Sequence, residues 1–175
     1  NAELDALLRP IKLAILTERR KKAVTKLVDL KPYAVWEFNG NLKDSVGSLD
    51  LKAHGKARYE EGMIVLNKAY LQSAKLPIDL KAKTLEVWCK VHNVNQRGGG
   101  IMGVQGQGDF FDTIVLGERK PRHWISGSNG HSRTLDFPGS TPEEKPNERL
   151  HLVMVYKEDG TTTLYRNGQP YGKPY

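Results

Sequence analysis

The sequence predicts an all-β sandwich of jelly-roll type preceded by a helical arm. Three observations point there. Short alternating apolar runs bounded by turn residues recur from residue 31 to the end, Asp159-Gly160 and Asn167-Gly168 punctuate the last strands, and helical periodicity is confined to residues 1–30. Many short strands with regular turn signals mark a sandwich or jelly roll, not a parallel α/β sheet.

In residues 1–30, Leu4, Leu7, Leu8, Ile11, Ile15 and Leu16 recur at three- and four-residue spacing, and Val24, Leu27 and Val28 resume after Arg19-Arg-Lys-Lys22. That spacing puts one apolar stripe along a helix. Pro10 lies within it and predicts a kink or a fresh start, because it lacks the amide hydrogen. A basic amphipathic helix suits a partner helix, a membrane surface or nucleic acid. The plainer reading is an arm that packs on its own domain or on a longer parent protein.

The domain predicted over residues 31–175 opens with the alternating run Ala34–Asn39, ending in Asn39-Gly40. Short runs follow around Leu49–Ala53, Ala57–Tyr59, Met63–Leu66 and Ala69–Gln72, then a longer strand over Lys83–His92. Beyond a glycine-rich turn come Ile101–Val104, Phe110–Leu116, His123–Ser126 and Arg133–Phe137, and a loop rich in Pro and Glu over Pro138–Asn147. The closing hairpin is the clearest element. Leu150, Leu152, Met154 and Tyr156 share one face of a strand, Asp159-Gly160 turns it, and Thr161–Tyr165 returns.

Composition narrows the function classes. The 175 residues suffice for one packed domain. No apolar run approaches the roughly 20 residues of a membrane-spanning helix. The first residue is Asn, which reads as a fragment or a processed chain. Net charge is +7, but only seven of the 27 Lys and Arg fall in residues 1–30, so the excess is spread out. The clustered basic face with interleaved aromatics expected of a nucleic-acid binder is not evident, which disfavours nucleic acid as a partner. Cys89 is alone, which excludes an internal disulfide framework and a cysteine metal site, and its strand predicts a buried, inert thiol.

The motifs carry a family resemblance. Trp36-Glu-Phe-Asn-Gly-Asn-Leu-Lys-Asp-Ser-Val-Gly47, Gly62–Leu66 with Ala69–Ser73, Thr84-Leu-Glu-Val-Trp88 and the Arg149–Gly168 hairpin together resemble laminin-G-like domains. These are jelly rolls of the concanavalin A type, and the resemblance covers about residues 33–170. It implies a β-sandwich that recognises a glycan or a protein without catalysis. It also implies that Trp36 and Trp88 pack in core strands.

Arg97–Ile101, Phe111–Glu118, Pro121–Ser128, Arg133-Thr134 and Tyr165–Gly172 resemble a narrower group, the inserts of large secreted cytochrome-c-type proteins of planctomycete bacteria. That resemblance implies an extracytoplasmic setting, with the rest of the parent protein as a partner. No Cys-x-x-Cys-His motif is present, so no c-type haem is expected on this chain. Laminin-G-like domains usually continue past the Tyr-x-Asn-Gly hairpin with a further strand, whereas this chain stops at Tyr175. A C-terminally truncated domain with an exposed strand edge is therefore expected.

Gly98-Gly-Gly-Ile-Met-Gly103 satisfies the dinucleotide-binding spacing. That fingerprint needs a helix after it, and a strand-like run with Gly106 and Gly108 follows instead, so it reads as a turn. Glycosidases of jelly-roll shape need two neighbouring carboxylates. Glu86 is the sole acid of its strand, so no enzyme is expected. His54, His92, His123, His131 and His151 lack metal-ligand spacing. Calcium is the one cofactor the resemblance admits, with Asp44, Asp109 and Asp112 near loops as candidate ligands.

Trp124 is the candidate sugar platform, because it precedes the polar loop Ile125-Ser-Gly-Ser-Asn-Gly130. Arg122, Asn129, His131 and Arg133 flank it and would hold a polar or anionic glycan. The alternative function is a structural insert that fastens domains of its parent and binds no free ligand.

Overall fold

The computed structural model describes residues 30–175 together with residues 10, 11 and 14. The helical arm expected over 1–30 lies outside the described residues, apart from Pro10, Ile11 and Ala14, whose backbone is helical. The chain divides into two compact units, Asn1–Pro77 and Ile78–Tyr175.

The first unit contains a long antiparallel hairpin, β1 (Leu51–Glu60) and β2 (Met63–Ser73), turned at Glu61-Gly62. Each strand fuses two of the short runs expected from the sequence. The expected strand at Ala34–Asn39 is instead irregular backbone. Asp44 governs this stretch. Its carboxylate accepts the backbone amides of Val35 (2.9 Å), Val46 (3.1 Å) and Leu49 (3.0 Å), folding 35–49 around one buried side chain. The Trp36 indole donates to the Leu49 carbonyl at 2.7 Å, which closes the same loop.

The second unit is a sandwich of two antiparallel sheets. One has the order β3-β7-β8-β9, from Lys83–Lys90, Arg149–Tyr156, Thr162–Arg166 and Gln169-Pro170. The other has the order β4-β5-β6, from Gly100–Gln105, Phe111–Leu116 and Trp124–Ser128. Alternation selects which side chains meet between them. Leu85, Leu152, Met154 and Leu164 project from the first sheet, and Ile114, Leu116 and Trp124 from the second, into one core with Phe137 and Tyr171. Burying each of these aliphatic side chains contributes roughly 1.5–3 kcal/mol. Of the expected strand Arg133–Phe137, a single bridge between Asp136 and Ile125 forms.

The second edge of β8 is covered: Thr162 exchanges backbone hydrogen bonds with Tyr175, and the Tyr171 amide donates to the Leu164 carbonyl. The glycine-rich turn behaves as read, with Gly98 and Gly99 at φ of 79° and 96° and a strand, not a helix, following. Glycine tolerates that left-handed region without a Cβ clash.

Candidate functional site

The structure corrects the Trp124 expectation. Register places Trp124 opposite Leu116 on the inner face of β6, and its ring is fully buried. The indole donates to Glu143 at 2.6 Å, and Glu143 accepts two further bonds from Arg166, at 2.6 and 2.8 Å. Glu143 is only 2% exposed, so this is a buried ion pair with a shared indole donor. It ties the 138–147 loop to β8 and β6. A ring in that position has no face for a sugar.

The residues expected around Trp124 divide among other tasks. Arg133 is held in place by its own chain: it donates to the Phe111 carbonyl (2.7 Å), Asp112 (3.0 Å) and Asn129 (3.0 Å), and its guanidinium lies 3.8 Å from the Phe110 ring centroid. Asn129 accepts that bond and one from Ser132. The loop thus brings Arg133 and Asn129 together. His131 instead faces Glu118 at 3.6 Å. Arg122 sits at φ 64° and offers its carbonyl to the Glu143 amide.

Two of the three candidate calcium ligands, Asp44 and Asp112, are committed elsewhere. Asp112 bridges Lys83 (2.6 Å) and Arg133. Burial would raise its pKa, but the hydrogen bonds and charges of those two cations hold it below the ordinary value. Asp44 is spent on backbone amides, and Asp109 lies in the turn between β4 and β5. Among the described residues no group of three His, Cys, Asp or Glu side chains is placed to hold a metal ion. Cys89 is half-buried, and burial, then the Glu143 charge, push its thiol up to about 11, which keeps it protonated and unreactive at neutral pH.

The surface that sequence reasoning missed is the outer face of the β3-β7-β8 sheet. Leu85, Val87 and Cys89 point inward, so Thr84, Glu86, Trp88 and Lys90 point out. β7 adds Arg149, His151, Val153 and Val155, and β8 adds Thr163 and Tyr165. Trp88 is directly opposite His151, and their rings stack with centroids 4.4 Å apart at 19°. Arg149, diagonal to Trp88, holds its guanidinium 4.8 Å from the indole centroid. His151 Nε2 also meets Glu86 at 2.8 Å.

Both contacts to the indole come from β7. β3 is the end strand of its sheet, so among the described residues no strand flanks the other side of the ring. Trp88 is 58% exposed, which corrects its expected place in the core. The clue in the sequence was parity: Trp88 alternates out of phase with Leu85, whose side chain is the apolar one that aligns with Leu152 and Met154.

A sandwich of two antiparallel sheets is the architecture of concanavalin A-like domains. The chain belongs to the concanavalin A-like lectin/glucanases superfamily, whose laminin G-type family model matches residues 66–174. No curated protein and no solved structure matches the chain, and the narrower resemblance to inserts of secreted cytochrome-c-type proteins has no counterpart among the matches.

Proposed function

We propose that this chain is a non-catalytic recognition module that binds a glycan on the outer face of the β3-β7-β8 sheet. The observation that carries the reading is the Trp88 indole, 58% exposed while stacked on His151 and lying 4.8 Å from the Arg149 guanidinium. An aromatic face offers a flat apolar platform to the C–H face of a pyranose. Glu86, Lys90, Arg149, Thr84, Thr163 and Tyr165 surround it with donors and acceptors for sugar hydroxyls. Such a surface is preorganised because cross-strand stacking already holds the ring, so little conformational freedom is lost on binding.

Acid–base hydrolysis of a glycosidic bond needs a second carboxylate within about 5–9.5 Å of the first. Among the outward positions of β3, β7 and β8, Glu86 is the one carboxylate, and it is engaged by His151. Binding without chemistry fits that arrangement. An extracytoplasmic setting belongs to the same reading. Among the described residues no helix is long and apolar enough to cross a membrane.

The test is a glycan array probed with the folded chain and with Trp88→Ala. Specific hits abolished by the substitution support the reading. A folded wild-type chain with no hits overturns it. A structural role within a parent protein then becomes the better account, favoured by the outer edge of β3, which pairs with no strand among the described residues.

A further inference from the structure

An asparagine followed by glycine is open to attack on its side chain by the next backbone nitrogen, because glycine has no Cβ to hinder the approach. The chain contains three such pairs, Asn39-Gly40, Asn129-Gly130 and Asn167-Gly168. Their local sequences are alike, and the fold treats them differently.

Two of the three are held. Asn167 stands in the turn between β8 and β9, where its backbone amide donates to the His151 carbonyl at 2.8 Å. Its Oδ1 accepts the His151 amide at 2.9 Å, so backbone and side chain are pinned together. Asn129 Oδ1 accepts from the Arg133 guanidinium at 3.0 Å and from the Ser132 hydroxyl at 3.3 Å. The Asn129 carbonyl accepts the Ser132 amide at 3.0 Å, within the single helical turn Asn129–His131. Turning either carboxamide toward the following nitrogen breaks hydrogen bonds within the protein.

Asn39 is free by comparison. With Gly40 it occupies the exposed tip of a loop whose base closes where the Ser45 amide donates to the Val35 carbonyl at 2.8 Å. Neither residue belongs to a strand or a helix. Asn39 Nδ2 donates to Glu37 at 3.4 Å, and among the described residues no donor reaches its Oδ1. A Cβ on Gly40 would meet nothing within 4 Å, so the tip has open space on that side. The backbone bond that must open runs from the Gly40 amide to the Phe38 carbonyl, 2.9 Å and local to the tip.

We propose that Asn39 is a site of spontaneous deamidation in the folded chain. The Gly40 amide gives its proton to hydroxide, and the nitrogen adds to the Asn39 Cγ. The Cγ–Nδ2 bond breaks as the new bond forms, and the leaving nitrogen takes a proton from water and departs as ammonia. Water then opens the cyclic succinimide. Attack at the side-chain carbonyl leaves aspartate, and attack at the main-chain carbonyl leaves isoaspartate. Water is consumed, ammonia is released and no electrons change hands. The product carboxylate stands near Glu37, where it replaces a hydrogen bond with a like-charge contact. The inference uses none of the residues of the Trp88 face and is independent of glycan binding.

Peptide mapping by mass spectrometry tests it, after the folded chain is incubated in mildly alkaline buffer and digested at acid pH, where the reaction is slow. The Asn39 peptide should gain the mass of a hydroxyl in place of an amino group at least about tenfold faster than the Asn129 and Asn167 peptides, whose holding bonds must first open. Methylation by an isoaspartate-specific carboxyl methyltransferase should label the same peptide. In urea the three should react at similar rates, since the fold no longer separates them. Asn39→Gln should remove the mass gain from its peptide, which separates Asn39 from Asn41. Circular dichroism checks that this variant is folded, and Asn39→Ser serves if it is not. Equal rates at the three pairs in the folded chain overturn the proposal. So does a faster reaction at Asn129 or Asn167, or a mass gain that persists in a folded Asn39 variant.

Discussion

Trp88 and His151 face each other across β3 and β7 with ring centroids 4.4 Å apart, and the tryptophan is the exposed member of the pair. The stack separates the two tryptophans of the sandwich into different roles. Trp88 is a surface group whose removal should change binding, and Trp124 is a core group whose removal should change stability.

Trp88→Ala should therefore leave the folded state close to wild type, with a stability change within about 1 kcal/mol, the size of a cross-strand pair. The same substitution should abolish glycan-array signals. Urea denaturation followed by circular dichroism, beside the array, separates the effects. A large loss of stability would mean the ring is structural.

Trp124→Ala should do the reverse, destabilising by about 3–5 kcal/mol through the cavity it leaves. It also strands the buried Glu143 without its indole donor. A urea midpoint near wild type would contradict the buried placement of the ring.

Glu143→Ala removes one partner of a buried pair and leaves Arg166 with the more distant Glu148, 3.5 Å away. Breaking such a pair costs about 3–5 kcal/mol because a charge is left uncompensated. Arg166 is partly exposed, so the lower end applies. Chemical denaturation should register the loss. Because Glu143 anchors the 138–147 loop, hydrogen exchange should rise there first.

Asp44 makes the first unit acid-sensitive. Burial by itself would raise its pKa, but the amides of Val35, Gly47, Leu49 and Val46 outweigh this and lower it from 3.8 to about 2. A depressed folded-state pKa adds stability above the unfolded value, and that stability is lost as pH falls through the folded one. Between pH 4 and 2 the wild type should lose order at residues 33–50, visible by hydrogen exchange. Asp44→Asn keeps the shape but removes the charge and half of the acceptor capacity, so it should lower order in this loop at neutral pH and flatten the acid dependence.

The legible part of this molecule was local. Alternation in Arg149–Tyr156 put Leu150, Leu152, Met154 and Tyr156 on one shared face, which the fold buries, and Asp159-Gly160 turned the chain where it stood. The sandwich class followed because such hairpins need a second apolar face to cover them. The exposed aromatic surface was less legible. A tryptophan before a polar loop and a tryptophan in an apolar strand look the same to a reader of composition, and their roles are exchanged in the fold. Trp88 and Lys90 share a parity that runs out of the core, while Trp124 pairs with Leu116 and runs into it.

By itself the sequence determined the β class, the Asp159-Gly160 turn and the periodicity of strands such as Arg149–Tyr156, because these depend on neighbours within a few residues. Only the tertiary structure decided which face of each strand became interior. That choice depends on pairing between segments far apart in the chain: Glu143 meeting Arg166 and Trp124, Asp112 meeting Lys83, and Trp88 meeting His151. The register shift between His54 and Lys56 likewise decided which side chains of β2 stand opposite those of β1, since a one-residue shift exchanges the two faces of a strand.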